Sequence, residues 1–135
     1  VRRIVTVLVC AVSAATLAAC SSSGISVQRA QGVTAMVSAA TPSAVMEASF
    51  TGTLTTTDQG CLAVSVGETT FPLKFPAGSR LSDDGQMIDV PGFGSVSSGE
   101  LVEGGGGYLA LDGVPDECAP GGEPVESIVW QSLPD

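Results

Sequence analysis

Beyond Thr41-Pro42 this 135-residue chain holds no helical pattern, only short apolar runs with a two-residue period, cut about every eight to twelve residues by Gly, Pro or Asp. That period puts alternate side chains on opposite faces of a strand, so such segments bury an apolar face only by pairing into sheets that pack on themselves. Ala48, Phe50 and Leu54 share one face of a strand running to about Thr56, with Gly52 at an inward position suited to a bend or bulge. Thr57-Asp58-Gln59-Gly60 is a turn. Leu62, Val64 and Val66 alternate with smaller residues, Gly67-Glu68 supplies a two-residue hairpin, and Phe71, Leu73 and Phe75 line the inner face of its second strand. Pro72 has no N–H to give to a ladder, which places it on the outer face at a sheet edge or beside a bulge.

The same punctuation continues to the C-terminus. Turns at Pro76-Ala77-Gly78 and Ser82-Asp83-Asp84-Gly85 precede a strand over Met87 to Val90, which Pro91-Gly92 separates from one over Phe93 to Val96. Leu101-Val102 and Tyr108 to Leu111 read as two strands divided by the glycine run Gly104 to Gly107. Val114 to Pro124 reads as a loop holding Cys118, and a last strand over Val125 to Trp130 sends Val125 or Ile128, with Trp130, into the core. The predicted fold over residues 44–135 is therefore all-β, a small and largely antiparallel barrel or sandwich.

The N-terminal stretch has a different character. Arg2 and Arg3 precede an apolar run from Ile4 to Leu17, and Leu17-Ala18-Ala19-Cys20 follows, the layout of a secretory signal peptide with small residues before a cut. Its last four residues resemble the lipobox of bacterial lipoproteins. That resemblance implies removal of residues 1–19, a diacylglycerol on the Cys20 thiol, and residence on the outer face of the cytoplasmic membrane, in the cell envelope. A retained membrane helix is the weaker reading, because the run of about 17 residues falls short of the roughly 20 that span a bilayer core and lacks flanking anchors. Twin-arginine export is weaker than ordinary secretion, since Arg2-Arg3 lacks the usual flanking pattern.

The lipoprotein reading gives each of the four cysteines a separate fate. Cys10 leaves with the leader, Cys20 takes the lipid, and Cys61 and Cys118 remain in an oxidising compartment, where the simplest outcome is one disulfide. A metal site is the rival, but the chain has no His and no C-x-x-C spacing. Removing Arg2 and Arg3 takes the basic count from 5 to 3 against 14 acidic residues, moving the net charge from −9 to −11. Such a chain does not bind nucleic acid through phosphates, or an anionic surface through a basic patch, and is held to the membrane by its lipid. Residues 20–43 are rich in Ser, Ala, Gly and Thr and read as the lipidated Cys20 followed by a flexible tether. The loose helical spacing of Val27, Ala30, Val33, Met36 and Val37 leaves open a helix induced by a partner.

Few residues here suit catalysis. With no His and the mature thiols paired, Lys74, Tyr108 and the carboxylates are left for proton exchange or attack, and most acids fall in turns where they serve as solvated turn formers. The sequence is read as no enzyme, requiring no cofactor. Asp83, Asp84 and Asp89 form the best calcium candidate, without the spacing or closing Glu of an EF-hand loop, and an ordinary hairpin turn is preferred. Asp112, Asp116 and Glu117 are weighed the same way. Gly104, Gly105, Gly106 and Gly107 lack the Lys-Ser or Lys-Thr of a phosphate loop and read as a flexible hairpin connection which, with Tyr108, is the candidate binding loop.

The string Gly60-Cys61-Leu62, a hairpin, Phe75-Pro76-Ala77-Gly78, Val96 with Gly99 and Val102, the glycine run and a second Cys is similar to small exported β-barrel domains of actinobacterial lipoproteins. The resemblance covers about residues 48–130 and implies a fold, OB-like as in some of those domains, and not a reaction. The expectation is a lipid-anchored envelope protein whose β domain binds an envelope protein or cell-wall ligand. A carboxylate-based envelope hydrolase, or a structural or antigenic surface protein, is the alternative.

Overall fold

The computed structural model describes residues 24–42 and 45–132. They form strands β1 Ile25–Ala30, β2 Val33–Ser38, β3 Ala48–Thr56, β4 Leu62–Val66, β5 Thr69–Phe75, β6 Arg80–Leu81, β7 Met87–Val90, β8 Gly94–Ser97, β9 Leu101–Leu111 and β10 Val125–Ser132, with a single 3-10 turn at Asp116–Cys118. The fold is all-β, as the two-residue period requires. β3, β4, β5, β10 and β9 close on one another in that order, every pair antiparallel except β5 with β10. Numbered along the chain as barrel strands 1 to 5, the order is 1-2-3-5-4-1, the connectivity of an OB fold.

Barrel closure depends on strands that change partner along their length. β3 pairs with β9 from Ala48 to Thr53 and with β4 from Thr53 to Thr56. Gly52 lies at that changeover, where an added Cβ would run into the Ser65 carbonyl oxygen. The register passes through Gly52 without a break, so the expected bulge is a close approach between backbones instead. Ala48, expected inward, is exposed. Pro72 is the last β5 residue paired with β4, after which β5 pairs with β10 and β2. The proline thus falls where its missing N–H costs no ladder bond.

The main core fills the barrel. Trp130 is fully buried and meets Phe50, Phe75 and Phe93 with ring centroids 5.6, 6.2 and 5.1 Å away. The meander β6-β7-β8 sits between β5 and β9 in the chain and adds Ile88, Val90 and Val96 to the same core. Its 82–86 turn is fixed by Asp84, whose carboxylate accepts from the Ser82 hydroxyl at 2.6 Å and the Gln86 N–H at 3.0 Å.

Two sequence expectations are corrected. Residues 25–38, assigned to a flexible tether with helical spacing, form the β1–β2 hairpin and belong to the sheet. Gln31 and Gly32 both adopt positive φ, 48° and 78°, the pattern of a type I′ hairpin turn. β2 runs parallel to β5 through Met36 opposite Lys74 and Val37 opposite Phe75. Its four central residues, Thr34 to Val37, are all buried, so both faces carry packing and no alternation shows. Ala35 and Val37 join the barrel core, while Met36 and Ile25 enter a second cluster outside it with Cys61, Leu111, Val114, Cys118 and Val129.

The second correction concerns the glycine run. Gly104, Gly105, Gly106 and Gly107 are not a loop but the middle of β9, paired with β3 on one side as far as Gly106 and, from Gly105 on, with β10 on the other. A Cβ on Gly106 would collide with the Val129 carbonyl, and one on Gly107 would stand 2.7 Å from the Met46 sulfur. Here glycine permits a tightly coiled central strand, and its lack of a side chain is the requirement.

Candidate functional site

The 112–124 segment joins β9 to β10 and is tied to the rest of the domain by a disulfide and an ion pair. Cys118 is bonded to Cys61 at the mouth of β4, 57 residues back in sequence. The N–H groups of Cys118, Ala119 and Gly122 donate to the carbonyls of Pro115, Asp116 and Ala119 at 2.9, 3.1 and 2.9 Å. The neighbouring Glu117 carboxylate accepts from Arg29 of β1 at 3.0 and 3.3 Å. The Arg29 partnership holds the Glu117 carboxyl below its ordinary range, and Glu117 in turn raises Arg29. Disulfide and ion pair thus fasten one loop to the barrel and to the hairpin.

Between this loop and the outer face of β5 runs a groove of about 400 Å³. Its size falls in the range of ligand-binding clefts. Thr70 and Pro72 supply one wall, Pro120, Gly121 and Val125 the other, and Thr57 closes one end. The lining is largely apolar with hydroxyls at the margin. Among the described residues its charged members are Glu117 and Glu126, and none that lines it is basic. Such a surface rejects anions and accepts neutral or cationic groups. Ser65 and Thr70 bond to each other across β4 and β5 at 3.0 Å, holding that wall's hydroxyl in place.

The sequence-predicted residues distribute unevenly around this groove. Cys61 and Cys118 form the disulfide, and Cys118 lines the groove. Gly104 to Gly107 are structural. Tyr108 is 43% exposed and packs edge-on against Phe71, centroids 5.2 Å apart, and it does not line the groove. Asp84 serves its turn, where the Ser82 hydroxyl and the Gln86 N–H lower its pKa, and Asp89 accepts from Ser95 at 3.4 Å. Among the described residues no three His, Cys, Asp or Glu side chains converge as a metal site would require, which separates Asp83, Asp84 and Asp89. Of the second acidic group, Glu117 has its partner in Arg29. Cys20 and residues 1–19 lie outside the described residues.

The groove residues were not singled out from the sequence, although one signal pointed there: a Pro- and Gly-rich loop containing a cysteine and joining the last two barrel strands. In an OB barrel, the face of the second and third strands, flanked by the first and last loops, is where ligands bind. Thr57 belongs to that first loop and residues 117–124 to that last one. Comparison with protein-family models, curated proteins and solved structures finds no match to this chain.

Proposed function

We propose that the protein is a binding module of the cell envelope, anchored to the outer face of the cytoplasmic membrane through a lipid on Cys20, and that its ligand site is the groove between the 112–124 loop and β5. The observation that carries the reading is the groove itself: about 400 Å³, apolar, and roofed by a loop that a disulfide and an ion pair hold in place. A pre-organised site loses little entropy on binding, which is the advantage of tying the loop down. The lining favours an extended peptide segment of a partner protein with neutral or basic side chains. It holds neither the aromatic platforms nor the basic residues on which single-stranded nucleic acid stacks and pairs.

A photo-crosslinking residue at Glu126, in protein expressed and exported by its own host, tests the site. The expected result is one dominant adduct with an envelope protein, lost when Gly121 and Gly122 are both replaced by Trp to fill the groove, and absent with the crosslinker at exposed Leu101. Equal capture from both positions would remove the groove as the site. Turnover of an envelope glycan or ester by pure protein, abolished by Asp112→Asn or Asp89→Asn without unfolding, would establish the hydrolase instead.

A further inference from the structure

The hairpin β1–β2 changes the geometry of anchoring. Because the folded sheet begins at Ile25, only Ser21, Ser22 and Ser23 separate Cys20 from Gly24. Four Cα-to-Cα steps reach at most about 14 Å. A domain of roughly 110 residues has a radius of gyration near 13 Å and is therefore about 34 Å across. A leash shorter than half the diameter cannot let the domain turn over. We propose, resting on the lipid-anchor reading above, that the domain is seated on the bilayer with one fixed face toward the lipid headgroups: the barrel end formed by Gly24, Ser38, Lys74 and the Pro76-Ala77 turn.

The strand register identifies that face. Ile25 pairs with Ser38 and Val37 with Phe75, so the chain enters the domain where β5 ends. The Ala39 N–H donates to the Gly24 carbonyl at 2.9 Å, fixing the entry point. The adjoining hollow of about 190 Å³ is lined by Ser38, Thr41, Pro42, Pro76, Ala77 and Pro91 among others, and among the described residues none that lines it is charged. In a mature chain with 14 acidic residues, a hollow lined by no described carboxylate is a surface that an anionic membrane repels little.

Lys74 gives the face its sign. A Cβ on Gly24 would stand 3.8 Å from the Lys74 ammonium, which places this cation at the entry point. Among the described residues it forms no ion pair, since the one such pair is Arg29 with Glu117. Desolvation by burial lowers its pKa, as expected of an ammonium that no anion among the described residues compensates. A headgroup phosphate supplies that anion when the face is down. The lipid provides the affinity, and the charge distribution selects the orientation.

The test uses the full lipidated protein in vesicles of equal parts phosphatidylethanolamine and phosphatidylglycerol, with a nitroxide quencher on a fraction of the headgroups. One fluorophore is placed at Ala77→Cys or at Glu68→Cys, the native disulfide staying closed. Glu68 lies at the opposite end of seven-residue β5, about 20 Å from Ala77, so quenching should be at least about threefold stronger at 77 than at 68. Inserting roughly 20 Gly and Ser residues after Ser23 gives a coil span near 25 Å and should bring the two labels close to equality. Lys74→Gln should reduce the difference with the vesicle-bound fraction unchanged. Equal quenching at 77 and 68 in protein that mass spectrometry shows to be lipidated would overturn the seating and leave the anchor standing. An unmodified Cys20 in native protein would overturn the anchor, and the seating with it.

Discussion

Opening the Cys61–Cys118 bond tests both the stability of the domain and the integrity of its groove. Its two ends are 57 residues apart, and the chain-entropy model for a closed loop of that length gives about 4 kcal/mol of stabilisation at 25 °C. For roughly 110 residues unfolding with about 2.1 cal/mol/K per residue, 1 kcal/mol corresponds to about 4 °C, so the loss is about 16 °C in Tm. The perturbation is the double variant Cys61→Ala/Cys118→Ala, which avoids leaving buried hydroxyls, with reduced wild type as a second route to the open state. Thermal unfolding followed by circular dichroism and by Trp130 fluorescence reads the result, and a two-state domain gives coincident curves. The open forms should also bind the groove ligand more weakly, because the 112–124 loop then depends on its backbone turns and the Arg29 pair. A fall in Tm under about 4 °C in both open forms would refute the reasoning. It would mean that the apolar cluster around Met36 and Val129 already confines the loop.

Three further outcomes follow from packing and charge. Trp130→Ala removes a fully buried ring in contact with three phenylalanines and should cost about 3–5 kcal/mol in urea unfolding. Gly106→Ala forces a Cβ onto the Val129 carbonyl and should cost about 1–3 kcal/mol, while Gly121→Ala, with open space around it, should stay within about 0.5 kcal/mol of wild type. Glu117 has its folded pKa depressed below 4.5 by Arg29, so its contribution is complete above 4.5 and is lost as pH falls through the lower folded value. Melts between about pH 6 and pH 3 should therefore show a small acid-side fall in Tm that Arg29→Gln reduces, the effect being modest for an exposed pair.

The barrel was legible because its strands have one wet face. Phe71, Leu73 and Phe75, and Leu62 with Val64, alternate with smaller or polar residues, and each pattern translates into a strand. Trp130 was placed in the core from its strand and its rarity. β2 was illegible for the opposite reason. Buried on both faces, it shows no period, and in a Ser- and Ala-rich setting its turn Gln31-Gly32 lacks the Asn or Asp that marks a type I′ hairpin. β9 was hidden by another ambiguity: glycine signals either a flexible connection or a place where backbones touch, and only the position of Val129 and Met46 decides between them. Of the groove only the loop side left a trace in the sequence, through Cys118 and its Pro- and Gly-rich setting, because the facing wall comes from β5, far earlier in the chain and without a chemical signature of its own.

The hairpin links the barrel end where the described chain enters to the groove beside the 112–124 loop. Ile25 and Met36 of the hairpin share one apolar cluster with both half-cystines and Val129, and Arg29 reaches from β1 to Glu117 at the edge of the groove. Gln28 adds a second hold, its side-chain amide donating to the Ser79 carbonyl at 2.8 Å and accepting from the Leu81 N–H at 2.8 Å. A hairpin fastened at three points transmits orientation as a rigid part, so in the proposed seated arrangement the groove has a fixed height and heading above the bilayer. A long flexible tether would present the groove in every direction at a low effective concentration. A short leash ending in a rigid hairpin would present it in one direction, so the proposed seating would restrict partners to proteins whose exposed segments pass at that height over the same membrane.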